Sequence, residues 1–511
     1  MMSTLVLVIY LEIMVVAGLA ITYGCLSSAA RQDLGAAPAV IAVALPVLAF
    51  FLPKLALLHA VMLLLVPICA AGRVERIAPL YLFALMLLPD LREPIMIGSL
   101  KLWQHDIHIS LGIGALAALL LTRGRGRGGV AFDIPFATIL LVLVYAQARD
   151  TSATNFLRDL VSLILSYGIP YYVVSRGVRS VDDLRRVMLA LAACGAILSL
   201  ILLFEALKAW PMYRNLYSHY GLELGGEASV KIRAGIMRAA GPFVESTSMA
   251  FALLFSALAG WLSRDRFRSR LHYLAFSSLL LVGLFPPQSR GAWVGILVAL
   301  LAVNLFRKGA VHAGRILVIV AIAATMLLPI VLASNRLSDL AGLSRSSQTT
   351  VDYRQRLFER GMTEVRAHPF AGQPYPQVVK NLSDLKQGEQ IVDFVNTYLY
   401  LALIAGIPGL LLFVGSLMAS VAGLWRIRDR MSKLPAAFVF AGLVAPIEML
   451  AFTSFGGRPA IVLFGMMGFA AALRSMARSA SRRGHTPAQP LGHHVADGIV
   501  ADPALPVFGG R

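Results

Sequence analysis

Two arginines stand where an anion-holding side chain is both costly and useful. Arg238 opens the run Arg238-Ala239-Ala240-Gly241-Pro242-Phe243-Val244-Glu245-Ser246, and Arg290 lies in Gln288-Ser289-Arg290-Gly291-Ala292-Trp293. Each sits at the edge of an apolar segment, where a guanidinium either snorkels to the interface or serves a function. Snorkelling accounts for either residue taken alone. The pair, both beside glycine and followed by small or polar residues, favours function. A planar fork of donors matches phosphate oxygens bidentately, and its Coulomb attraction is larger beside hydrocarbon than in bulk water. A third polar group runs from Asp352-Tyr353-Arg354 to His368-Pro369-Phe370-Ala371-Gly372. Asp352, Arg354, Arg356, Glu359, Arg360, Glu364 and Arg366 have helical spacing, which predicts a solvated amphipathic helix lying on a membrane surface. His368, the one histidine of that loop, reads most simply as a turn residue before proline, but an imidazole there could also move a proton.

Composition sets the elements that must carry these residues. The chain has 511 residues, 58% of them hydrophobic and 14% charged, with a mean hydropathy of +0.73. Those values exclude an ordinary soluble domain and predict an all-α polytopic membrane protein. About 12–15 apolar runs are candidates for crossing a bilayer, several of them short. The net charge of +19 does not point to nucleic acid, because lysine and arginine fall in short clusters between apolar runs. Arg123, Arg125 and Arg127, then Arg176 to Arg186, Arg264 to Arg270, Arg307 to Arg315, and Arg426 to Lys433 occupy alternate loops, which places those loops in the cytoplasm. The two longest loops, about residues 208–246 and 334–396, then lie outside, with the turn ending in Gln288-Ser289-Arg290. Polar loops of that length are usually functional or disordered. Residues 1–475 form the expected membrane domain, with Leu5 to Tyr23 as a retained first helix, and residues 476–511 an expected disordered cytoplasmic tail.

Other chemistries lack their residues. No phosphate-binding P-loop, His-Glu-x-x-His or zinc-spaced cysteine pair occurs, so no metal or cofactor is expected. Cys25, Cys69 and Cys194 read as buried inert thiols. His105 and His108 bracket Asp106 like a metal site, but interfacial polar residues are the commoner case. Gly124-Arg125-Gly126-Arg127-Gly128 mimics an RNA-binding fragment and reads as a topology signal.

Four fragments in order, Arg-Ala-Ala-Gly-Pro-Phe at Arg238, Ser-Arg-Gly-Ala-Trp at Arg290, His-Pro-x-x-Gly at His368, and Asn-Thr-Tyr-Leu followed by Gly-Ile-Pro-Gly-Leu at Asn396, together resemble the O-antigen ligase and O-antigen polymerase superfamily. The resemblance covers about Arg233 to Leu412. It implies a GT-C-like glycosyltransferase of the bacterial inner membrane, without a metal, its large periplasmic loop holding short helices. Its donor would be a polyprenyl-diphosphate-linked oligosaccharide, and membrane lipids and polysaccharide assembly and export proteins would be its partners. Arg238 and Arg290 would bind the diphosphate, and Arg354, Asn396 and Tyr398 the substrate. Ligases of this family read His-Asn, nine residues, then Gly; here Asn396 and Gly406 keep that frame while Val395 holds the histidine position. Valine accepts no proton, which favours a polymerase of O-antigen or exopolysaccharide over a lipid A-core ligase. Asp393 is the nearest replacement base, with Glu245 and His368 as rivals. A transporter or flippase is the alternative class, but transporters place ionisable residues near the bilayer midplane, not at one end.

Overall fold

The computed structural model describes residues 2–122, 130–149, 151–222, 230–243, 245–341, 343, 345–386, 392–431, 433–454 and 456–484. Arg123, Arg125 and Arg127 lie outside the described residues, as do residues 485–511 of the expected tail.

The first half of the chain runs α1 (Met2–Cys25), α2 (Ser28–Leu34), α3 (Ala37–Phe51), α4 (Leu55–Ala70), α5 (Val74–Leu87), the hairpin β1 (Arg92–Ile97) and β2 (Leu100–Asp106), α6 (Ile107–Leu121), α7 (Val130–Ala148), α8 (Ala153–Leu163), a π-helical turn (Ile164–Gly168), α9 (Ile169–Gly177) and α10 (Val181–Lys208). The second half runs α11 (Asn215–His219), the short strands β3 (Ile232–Arg233) and β4 (Ile236–Met237), α12 (Ser246–Leu262), α13 (Arg270–Gly283), α14 (Arg290–Lys308) and α15 (Ala310–Ala333). The long loop then folds as α16 (Asn335–Ala341), α17 (Arg345–Ala367) and α18 (Tyr375–Asn381), before α19 (Thr397–Ile427), α20 (Lys433–Met449) and α21 (Gly457–Gly484).

The chain is therefore an all-α polytopic membrane protein, with two small antiparallel hairpins that composition did not announce. Every apolar run becomes a helix, but fewer cross at full length than the about 12–15 expected. Among the described residues, six helices are long and apolar enough to cross a membrane, and the bent pair α2–α3 makes a seventh. Four more apolar helices, α4, α6, α7 counted from Asp133, and α12, are only 10–17 residues long. Several runs stop early because a polar turn or hairpin interrupts them, as β1 does after α5. At the other extreme, α21 continues to Gly484, so the first residues of the expected tail are helical.

Burial ranks the helices. The apolar windows of α10 and α21 are 83% and 89% buried, whereas that of α15 is 0% buried and lies at the rim. α14 packs along α20, α21 along α9, α10 along α5 and α12, and α19 along α7. The basic loops gather at one end, where Arg266 meets Asp33 at 2.7 Å and Arg176 meets Asp133 at 2.5 Å. Both long loops gather at the opposite end.

α17 is amphipathic as its charge spacing predicts, but its apolar stripe is not spent on a lipid surface. Tyr353, Leu357, Gly361 and Val365 recur every fourth residue and are buried, and the helix packs on α19, with Leu399 against Gly361. At its C-terminal end the His-Pro-x-x-Gly turn docks on a break in α19. Gly406 has φ +69°, the N–H of Ile407 donates to the Pro369 carbonyl at 2.7 Å, and that of Gln373 to the Leu403 carbonyl at 2.7 Å. Arg149, just after α7, clamps this junction by donating to the Ala371 carbonyl, to Ile404 at 3.1 Å and to Gly372 at 3.0 Å. A Cβ on Gly406 would lie 2.4 Å from the Phe370 carbonyl oxygen. Gly406→Ala should therefore destabilise the protein by about 2 kcal/mol or more, strain and displaced carbonyl together. An unchanged thermal transition of the detergent-solubilised variant would contradict that packing.

Candidate active site between the long loops

The site begins with a turn. Between α13 and α14 the chain holds Gln288 at φ +50°, and three successive carbonyls face the strand β4 and its flanks. Pro286 accepts from the Ala239 N–H at 3.1 Å, Pro287 from Arg238 Nε at 3.1 Å, and Gln288 from Arg233 Nη1 at 2.8 Å. The Gln288 amide returns a hydrogen bond to the Ile236 carbonyl at 3.2 Å. Two prolines serve this turn because they present carbonyls while withdrawing donors.

The segment after Arg238 is fixed from behind by buried groups. Glu205, near the end of α10, accepts from the Met212 N–H and the Gly241 N–H, each at 2.9 Å. Asp90 donates its N–H to the Pro242 carbonyl at 3.1 Å, and its carboxylate receives Arg458 Nε at 2.5 Å. Arg458 is 3% exposed, also donates to the carbonyls of Leu85, Leu88 and Pro89, and lies 5.0 Å over the Phe243 ring. The Gly-Pro-Phe motif thus reads as a docking element for the arginine in front of it.

Above it sits the cover formed by α16 and α17. Arg290, first residue of α14, donates through Nε to Leu340 at 2.9 Å and through Nη2 to Asp339 at 2.8 Å, both carbonyls of α16. Arg354 projects from α17. Arg233, Arg238, Arg290 and Arg354 lie within mutual electrostatic reach. Arg238 is pushed down to about 10, first by desolvation, then by Arg233, with Glu245 opposing and Arg290 and Arg354 adding to the effect. Arg233 is lowered by desolvation and by Arg354. Arg354, reachable by solvent although protein crowds round it, is lowered by desolvation and held up by Asp393. Four cations gathered where protein partly excludes water repel one another, and an anion placed among them relieves that repulsion.

Two of the three base candidates join the cluster. Glu245 stands at the residue before α12 without capping it, accepts from the hydroxyls of Thr247 at 3.2 Å and Ser248 at 3.4 Å, and acts on Arg238. Asp393 acts on Arg354 and is held by Tyr353, whose hydroxyl accepts from the Asp393 N–H at 3.0 Å and donates to its carbonyl at 3.1 Å. His368 does not join them. It is exposed beyond the end of α17, 14 positions after Arg354, and the helical rise puts the two about 20 Å apart.

The expected substrate residues Asn396 and Tyr398 are engaged in the scaffold. Asn396 Oδ1 accepts from the N–H groups of Tyr398 at 3.0 Å and Leu399 at 3.1 Å, capping α19. The Tyr398 hydroxyl donates to the Ile447 carbonyl at 2.5 Å. Sequence reading passed over Arg233, which belongs to no recognisable motif, although Lys231 and Arg233 shortly before Arg238 were a basic signal. It also passed over Glu205, Arg149 and the Asp90–Arg458 pair, whose partners lie far away in the chain. His105, Asp106 and His108 form no group of three or more that could hold a metal, among the described residues.

Residues 275–414 match the protein-family model described as O-antigen ligase. No curated protein matches the chain. The matched stretch begins within α13 and ends within α19, so it contains Arg290, Arg354, Asp393, Asn396 and Gly406, while Arg233 and Arg238 precede it. Over this stretch the chain is similar to the O-antigen ligase family, a match that supports the O-antigen ligase and polymerase superfamily and points to glycan assembly at a membrane.

Proposed function

We propose that the protein is an inner-membrane glycosyltransferase that polymerises polyprenyl-diphosphate-linked repeat units of a surface polysaccharide, with its arginine cluster facing the periplasm. The observation that carries this reading is the convergence of Arg233, Arg238, Arg290 and Arg354 between the 284–290 turn and the α16–α17 cover. The donor diphosphate lies among these guanidinium groups. As the bond between the anomeric carbon and the phosphate oxygen breaks, its electron pair passes to the diphosphate, and the cations stabilise the charge that develops there. The acceptor hydroxyl attacks the anomeric carbon from the opposite face and gives its proton to a carboxylate. Direct displacement inverts the anomeric centre. Asp393 takes that proton, positioned by Tyr353 and Arg354; Glu245, beside Arg238, is the rival base. Positioned proton transfer contributes about 10²–10⁴ in rate. Guanidinium groups rather than a metal neutralise the leaving group in this reading.

Polymerase is preferred to ligase because Val395 occupies the place where the ligase pattern has histidine. The deciding experiment gives purified protein a synthetic polyprenyl-diphosphate oligosaccharide. A ladder of lengthening products is expected; a single transfer product would make the protein a ligase, and no product would remove the reading.

A further inference from the structure

A polar pocket that none of the four arginines lines stands apart from the diphosphate chemistry. It is a cavity of about 190 Å³ whose walls include Arg92, Asp106, His108, Gln147, Asp159 and Tyr167. That is far beyond the roughly 10–15 Å³ that admits one water, and it suits a single hydroxyl-rich ring. A polar cavity among membrane helices is costly to keep empty of polar partners. His108 shows this most clearly: it is 6% exposed, lines the cavity, and its Nε2 has no hydrogen-bond partner among the described residues. Its Nδ1 faces Asp106 Oδ2 at 3.8 Å, and Asp106 is paired with Arg92 Nε at 2.8 Å.

The opposite wall is built by an irregularity. Between α8 and α9 the helix widens to a π-turn at Ile164–Gly168, which sets Ser166 and Tyr167 at the cavity. Such turns cost regular hydrogen bonding and recur at functional sites. Aromatic rings then lead from the pocket towards the cluster. Tyr167 lies within electrostatic reach of Tyr400, and Tyr400 stands 5.5 Å from Phe394, the neighbour of Asp393. Rings of this kind present flat apolar faces with a polar edge, which suits a sugar's alternating C–H and hydroxyl faces.

We propose that this pocket binds one sugar ring of the acceptor glycan, with His108 Nε2 as a hydrogen-bonding group to a ring hydroxyl and Asp159 and Gln147 as further partners. The inference rests on the glycan-transfer reading, and it separates the two substrates: diphosphate at the arginines, acceptor sugar at His108. The test uses full-length protein in lipid nanodiscs and two probes. One is the host's own repeat-unit oligosaccharide freed from its lipid by mild acid, the other polyprenyl diphosphate. His108→Ala and Asp159→Ala should each weaken oligosaccharide binding about tenfold, the effect of one or two lost hydrogen bonds, and leave polyprenyl diphosphate affinity unchanged. Asp159 is exposed on α8, so its variant decides the matter if His108→Ala fails to fold. Unchanged oligosaccharide affinity in a folded variant, no oligosaccharide binding by the unaltered protein, or an equal loss for both probes would overturn the assignment. If instead Arg238→Ala keeps its diphosphate affinity while the pocket variants lose oligosaccharide, the pocket stands and the cluster reading falls.

Discussion

Arg238→Ala should lower polymer formation by about 10²–10³-fold, the range that follows loss of one preorganised donor to a developing negative charge. Arg238 is the most enclosed of the four arginines in electrostatic terms, since Arg233, Arg290 and Arg354 all act on it. Removing it takes away a donor whose orientation is fixed by its Nε bond to Pro287 at 3.1 Å. Arg238→Lys should recover part of the loss, because a point charge survives without the fork. Arg366→Ala provides the comparison: it removes an exposed cation near the far end of α17 and should leave product formation close to the unaltered level. Product ladders resolved by gel, with protein amount matched by immunoblot, check all three. Equal ladders from Arg238→Ala and the unaltered protein would separate the cluster from the chemistry.

The second large effect is structural. Arg458→Met should destabilise the fold by about 3–5 kcal/mol, because it leaves the Asp90 carboxylate buried without its cation. Three backbone carbonyls, of Leu85, Leu88 and Pro89, lose their donor at the same time. Asp90 carries the N–H that holds the Pro242 carbonyl, so damage here should spread to the segment that presents Arg238. Adding Asp90→Asn should restore part of the stability by removing the uncompensated charge. Thermal unfolding in detergent reads both. Should Arg458→Met melt like the unaltered protein, the pair would not be holding the Arg238 segment.

Much of this architecture could be read from residue order alone, for a local reason. The length and hydropathy of an apolar run are properties of consecutive residues, so helices such as α10, α14 and α19 appear where the sequence puts them. Arg238 and Arg290 stood out because a cation beside hydrocarbon contrasts with its neighbours, whereas Arg354 was one charge among several on an amphipathic helix. What composition could not give was distance. Arg458 meets Asp90 across 368 residues, and Arg149 reaches Ala371 and Gly372 across 222 and 223, so no spacing rule connects them. The short motifs were misleading in a consistent way. Asn396 caps a helix, Tyr398 ties α19 to the end of α20, and the His-Pro-x-x-Gly turn is the partner of the break at Gly406. Residues that look chemical in a motif can be scaffold, because a close backbone approach demands particular residue types as strictly as catalysis does. The hairpin of β1 and β2 and the π-turn after α8 were equally invisible, since neither has a hydrophobic period of its own.

Electrostatics also bounds the working range. At neutral pH an Arg238 pushed down to about 10 remains protonated, and a bound diphosphate would raise its proton affinity further. Arg238 therefore keeps its charge through the physiological range.

The most direct measurement is a cryo-electron microscopy structure of the protein in nanodiscs with polyprenyl diphosphate bound. The account predicts diphosphate density between the 284–290 turn and α17, with phosphate oxygens about 3 Å from guanidinium nitrogens of Arg238 and at least one of Arg233, Arg290 and Arg354. Diphosphate density seated elsewhere, at the basic-loop end or in the His108 pocket, with Arg238 uncontacted, would contradict it.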